Sequence, residues 1–161
     1  MRELEIRSGA RLVVVGAIGE SASSEAAFLV SMRLNCRGVR TVNLGTGITL
    51  SEAATALARH HGAEALLLVS ESGVHVTRQL SGLAALRTAG DVAGPVFVGG
   101  AGTGSWRKLR PLAAELRGLG VTEVLSDLAD AAALLPSQVA AALPPVAGAR
   151  ALPESVAARV A

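Results

Sequence analysis

Short apolar runs and longer stretches with apolar residues three and four apart alternate along this chain. The short runs are "LVVVG" (12–16), "RTVNLG" (40–45), "EALLLVS" (64–70), "PVFVGG" (95–100) and "VTEVLS" (121–126). Their Val and Leu content and their length predict strands buried on both faces. Between and after them lie "SEAAFLVSMRLNCR" (24–37), "LSEAATALARHHG" (50–62), "HVTRQLSGLAALRTAG" (75–90), "SWRKLRPLAAELRGLG" (105–120) and "LADAAALLPSQVAAAL" (128–143). Their spacing predicts helices. Ser51 is placed to cap the second helix, with Glu52 near its positive end. Gly38, Gly62, Gly90 and Gly120 each follow a helix, where a left-handed cap favours glycine.

Five strands alternating with five helices predict an α/β fold. It is a flavodoxin-like parallel sheet in the order 2-1-3-4-5, with right-handed crossovers and helices on both faces. Ligands in such sheets bind beyond the carboxyl ends of the strands. That selects four loops: Gly16–Ser24, Gly45–Thr49, Ser70–His75 and Gly99–Ser105. Residues 1–143 form the expected domain. From Pro144 the pattern breaks into a tail, 144–161, with a short helix expected after Pro153.

Composition narrows the function classes. The 161 residues are 50% hydrophobic but only 2% aromatic, so Ala, Val and Leu must build the core. Net charge is +2, all but one of the 15 basic residues are Arg, and they are scattered. With no basic block and few rings to stack on bases, nucleic-acid binding is not expected. No apolar run approaches the roughly 20 residues of a membrane helix. The charged opening "MRELEIRSGA" is unlike a signal peptide, so a cytoplasmic protein is expected. Cys36 is the one cysteine, which excludes an internal disulfide, and it is expected to be buried as a small hydrophobe.

Candidate chemistry is sparse. His60 and His61 are adjacent, point to different sides of a helix and cannot share a metal as an i, i+4 pair would. They are read as surface residues at a helix end. His75 lies in the exit loop of the third strand, where it is either a first-turn residue or a polar contact to a ligand. "SESG" and "GTGSW" fail the G-x-S-x-G pattern, and no late Asp and His complete a triad, so a serine hydrolase is not expected. "GAIGES" is not G-x-G-x-x-G. "GGAGTG" follows the fourth strand rather than the first, and Lys108 stands in no phosphate-binding loop, so a nucleotide site is not expected either.

Taken together, the loops resemble the cobalamin-binding family, above all the small subunit of glutamate mutase (methylaspartate mutase) and the cobalamin domain of methylmalonyl-CoA mutase. The likeness runs over roughly residues 10–143. In "GAIGESASSEA" (16–26), Gly16, Ile18 and Gly19 match the first half of the family's G-x-I-G-x-D-x-H-x-x-G loop. "LVSES" supplies Val69 and Ser70 of V-S-S, with Glu71 in place of the second Ser. Gly73, Gly82-Leu83 and "NLG" (43–45) fit the glycine-rich turn, the following G-L and the second strand's end. "VFVGG" (96–100) matches F-V-G-G from Phe97 to Gly100.

The resemblance implies that a cobalamin's nucleotide tail lies in a slot between the first helix and the sheet, lined by Ser70, Gly99 and Gly100. The implied cofactor contacts are Gly19, Glu20, Ser21, Ala22, Ser23, Ser70, Ser72, Gly73, His75, Gly99, Gly100 and Gly102. No residue is assigned to catalysis, because the family places that chemistry in a larger barrel-type mutase subunit. Such a subunit is the expected partner, and a homodimer is a second expectation.

The departures matter as much. The family's Asp falls on Ser21, its cobalt-ligating His on Ser23 and its following Gly on Ala26. A serine hydroxyl does not replace an imidazole ligand, and the Asp that would orient it is gone too. The family's P-P-G-T is replaced by "SDLAD" (126–130). Three readings follow. The first is a mutase small-subunit-like component that holds cobalamin without that His, base-on or through His75. The second is a cobalamin-free module acting as a protein–protein partner of an enzyme. In the third, another small molecule uses the hydroxyl rim of Ser21, Ser23, Ser24, Ser70 and Ser72.

Overall fold

Val13, Val14 and Val15 are consecutive and each is fully buried, so both faces of their strand are covered. In a computed structural model describing residues 11–19, 24–73, 75–101 and 103–137, they form the middle of β1 (Arg11–Ala17). The other strands are β2 (Val39–Asn43), β3 (Ala63–Val69), β4 (Val96–Gly99) and β5 (Glu123–Leu125). All four pairings are parallel and the order is β2-β1-β3-β4-β5, as expected. Val14 lies beside Val42 on one side and Leu66 on the other, and Leu67 continues to Phe97.

Side-chain alternation then divides the core in two. On one face, Val13, Val15, Leu67 and Phe97 pack against Ala27, Val30 and Leu34 of α1 (Ser24–Cys36) and against Leu128 and Leu135. Burying a leucine such as Leu34 stabilises by about 1.5–3 kcal/mol. Three arginines tie α1 and β1 to the chain beyond β5. Arg33 donates to the Ala101 carbonyl and to Asp127, both at 2.8 Å. Arg37 donates to the Ala129 carbonyl at 2.9 Å, and Arg11 to the Ala132 carbonyl at 3.0 Å.

On the opposite face, Val14, Leu66, Leu68, Val96 and Val98 pack on α2 (Leu50–Arg59), α3 (Val76–Gln79), α4 (Leu83–Thr88), α5 (Thr103–Leu109) and α6 (Ala113–Leu119). The expected third and fourth helices are therefore each broken. Leu80, Ser81 and Gly82 separate α3 from α4; the Ser81 hydroxyl turns back to the Arg78 carbonyl at 2.8 Å, and Gly82 is a weak helix former. Pro111 lacks the N–H that a continuous helix needs, and the chain tightens into a 3-10 turn over Arg110–Leu112.

Four further expectations are corrected. The fifth helix is a 3-10 segment, Leu128–Leu134, started by Asp127, whose side chain accepts from the Ala129 N–H. It stops because Leu135 precedes Pro136 and is driven to extended backbone, at ψ 145. Thr49, not Ser51, caps α2, in a reciprocal capping box with Glu52; Ser51 already lies in the helix. Gly38, Gly90 and Gly120 are left-handed as expected, but Gly62 is not, because α2 ends earlier, at the His60 cap. Cys36 is exposed: Leu34 takes the inward position and Cys36, two residues on, faces outward. Residues 138–143 and the expected tail, 144–161, lie outside the described residues. Among the described residues, no helix is long and apolar enough to cross a membrane.

Replacing Thr49 by Ala is expected to lower the unfolding free energy by about 1 kcal/mol. Ser51→Ala should stay within about 0.5 kcal/mol. Urea denaturation separates the two. A second expectation concerns Glu123, whose carboxylate accepts from Arg117 and is held below the usual glutamate range mainly by that bond. A depressed carboxylate stabilises the fold above its unfolded pKa, and the contribution is lost as pH falls through the lowered value. In a carboxyl NMR titration, Arg117→Ala should return Glu123 to the ordinary range; an unchanged midpoint would refute the assignment.

Candidate functional site

The carboxyl ends of β1, β3 and β4 meet at one point, where main-chain bonds carry the sheet beyond its last regular residues. The Ile18 N–H donates to the Val69 carbonyl at 3.0 Å, and the Ser70 N–H to the Gly99 carbonyl at 2.9 Å. The Leu128 N–H donates to the Gly100 carbonyl at 3.0 Å. Ser70, Gly99 and Gly100, the residues the resemblance assigns to a slot, are thus brought together, and Ser70 is buried.

The space around the two glycines is occupied by the chain itself. A Cβ on Gly99 would stand 2.6 Å from the Leu125 carbonyl oxygen and 3.5 Å from the Leu128 Cβ. A Cβ on Gly100 would collide with the Ser105 side chain and stand 2.5 Å from Glu71 Oε2. That same oxygen accepts the Ser105 hydroxyl at 2.6 Å and the Ala101 N–H at 3.2 Å. A charged acceptor with two donors is a strong local lock. Ser105, on α5, is only 5% exposed. Sequence reasoning treated "GTGSW" only as a failed nucleophile motif and missed this partnership. The available signal was Glu71 itself, since a carboxylate leaving a buried strand needs donors.

The opening loop is held on its other side. Gly16 is covered by Ile48, which a Cβ there would strike. The Ala17 N–H donates to the Gly45 carbonyl at 2.9 Å, and the Ile48 N–H to the Ala17 carbonyl at 3.1 Å. Gly19 has φ 102, a left-handed turn that favours glycine. It borders a cleft of about 280 Å³ lined by Ile18, Gly47, Ile48, Thr49, Leu50 and Gln79. Glu71 and Ser105 border a separate one of about 300 Å³ with Gly104 and Lys108.

The remaining expected contacts divide. Gly73 has φ 71 and passes close to the Lys108 carbonyl, with Ser72 just before it. His75 is exposed and left-handed at φ 60, at the start of α3. No hydrogen bond among the described residues orients its imidazole, whereas metal-ligating histidines are normally held by a second partner. Glu20, Ser21, Ala22, Ser23 and Gly102 lie outside the described residues. His60 and His61 stand at the end of α2, half-buried and exposed. Among the described residues, no group of His, Cys, Asp and Glu side chains is arranged to hold a metal ion.

The Glu71–Ser105 contact lies on the α5 side of the sheet, whereas the slot implied by the resemblance lies on the α1 side. On the α1 side a Cβ on Gly99 would meet the Leu125 carbonyl and Leu128, and on the α5 side a Cβ on Gly100 would meet Ser105 and Glu71.

No protein-family model and no curated protein matches the chain. Solved structures do. A cobalamin-binding protein from Desulfitobacterium hafniense superposes with a TM-score of 0.60 at 13% identity, covering 78% of this chain and 58% of that one. The monomethylamine corrinoid protein of Methanosarcina barkeri gives 0.58 at 19% identity, covering 86% and 62%. The methanol:cobalamin methyltransferase complex of Methanosarcina barkeri gives 0.61 at 17%, covering 92% and 55%. This chain therefore spans less than two thirds of the length of those it matches, and what it shares with these cobalamin-binding and corrinoid proteins is the flavodoxin-like fold.

Proposed function

We propose that this chain is an accessory subunit of a larger catalytic protein, built on the corrinoid-protein fold but working without the corrinoid. The observation that carries the reading is the loss of the resembling family's cobalt-ligating His and its orienting Asp, which fall on Ser23 and Ser21.

The partner reading rests on the resemblance to the mutase small subunit, which implies a barrel-type subunit and a carbon-skeleton rearrangement. It draws further support from the methanol:cobalamin methyltransferase complex among the similar structures. In this reading the chain supplies a folded surface and no reacting group.

A second reading keeps the cofactor. It is favoured by the convergence of Ser70, Gly99 and Gly100 at one strand end. A visible-spectrum titration with hydroxocobalamin and adenosylcobalamin decides between the two. The cofactor-free reading expects no saturable change at tens of micromolar, an affinity of roughly −6 kcal/mol. A saturable shift in the corrinoid bands would establish the second reading instead. Assays of the chain with a co-purifying larger subunit should likewise give the same activity with and without added corrinoid.

A further inference from the structure

Gln79, on α3, carries an amide that the fold itself does not use. Its head lies over the Gly19 turn, with Nε2 and Oε1 at 3.7 and 3.8 Å from where a Gly19 Cβ would stand. Among the described residues, no hydrogen bond takes up either atom. The amide borders the cleft of about 280 Å³ between the exits of β1 and β2. Ile18 and Ile48, both buried, form its floor, with Leu50 beside them. Gly19 and Gly47, left-handed at φ 102 and 64, leave two stretches of wall as bare backbone. The other polar groups there are engaged. The Thr49 hydroxyl accepts from the Glu52 N–H, the Ile18 N–H donates to Val69 and the Ile48 N–H to Ala17. None of the described lining residues is charged.

We infer that this cleft is a binding site for a neutral aromatic carboxamide, held by a reciprocal pair of hydrogen bonds to Gln79. A side-chain amide offers a donor and an acceptor side by side, and a primary carboxamide presents the complementary pair. A flat ring fits between the two glycine turns and buries its surface on Ile18 and Ile48. An apolar floor with one oriented polar group is the usual make-up of a small-molecule site. A carboxylate there would lose its hydration with no cation to meet it, so the anionic counterpart is disfavoured. Ile18 and Ile48 belong to the core on the α2 and α3 side of the sheet, away from the α1 side. The inference therefore stands whether or not the chain holds a corrinoid.

The test is a nitrogen–proton NMR titration of the full chain with benzamide, N,N-dimethylbenzamide and benzoate. Benzamide should give saturable shifts at Gly19, Gly47, Ile48 and the Gln79 side-chain amide, with a Kd below about 10 mM. The dimethyl derivative, which lacks the donors, and benzoate, which is charged, should each bind about five-fold or more weakly. Gln79→Leu should lose the preference for benzamide over its dimethyl derivative, with the dispersion of the spectrum reporting the fold. Should that variant not fold, Gln79→Glu, which keeps the shape and loses the donor, is read by the same criterion. Absence of saturable shifts, shifts confined to other residues, equal binding of the three probes, or an undiminished preference in a folded Gln79 variant would each overturn the assignment.

Discussion

At the exit of β4 the backbone is approached from two directions at once. The Leu125 carbonyl comes in against Gly99, and the Ser105 and Glu71 side chains close over Gly100. Either residue bearing a side chain would force backbone or buried groups apart. Much of the rest of the upper sheet is arranged around this crossing. The Ser70 N–H and Leu128 N–H both bond to the carbonyls of these two glycines, so β3 and the segment after β5 are positioned by them. Arg33 then reaches from α1 to the Ala101 carbonyl and Asp127, tying the first helix to the same turn.

The sheet was legible because its strands are buried on both faces. Val13–Val15 and Leu66–Leu68 read as continuous apolar runs, and that pattern has few other solutions when helical stretches separate the runs. The helices were less legible where local chemistry overrode the apolar spacing. Pro111 and Gly82 both sit inside well-spaced stretches, and each interrupts its helix for a reason the period does not contain. The cap of α2 was missed by two residues because Thr49 and Ser51 are both good caps. What distinguishes them is that Glu52 stands three residues after Thr49 and can return the bond.

The site was legible as a location and not as a chemistry. Ser70, Gly99 and Gly100 do converge, as strand-end residues of neighbouring parallel strands must. The glycines themselves carry an ambiguous message. A pair of glycines at a strand end leaves room, and a sequence cannot say whether a ligand or the chain takes that room. Here Leu125 and Leu128 approach Gly99 on one side of the sheet, and Ser105 and Glu71 approach Gly100 on the other. The fold shared with corrinoid proteins fixes where a ligand can sit, and side chains decide whether it does.

The account turns on whether the Glu71–Ser105 contact holds the exits of β3 and β4 to α5. A double-mutant cycle with Glu71→Ala and Ser105→Ala, followed by urea unfolding, measures that coupling directly. A hydrogen bond to a partly buried carboxylate should give a coupling of about 1.5–3 kcal/mol. Additivity of the two substitutions within about 0.5 kcal/mol would mean that the two groups do not act on each other, and would contradict the tie between the β3 and β4 exits and α5.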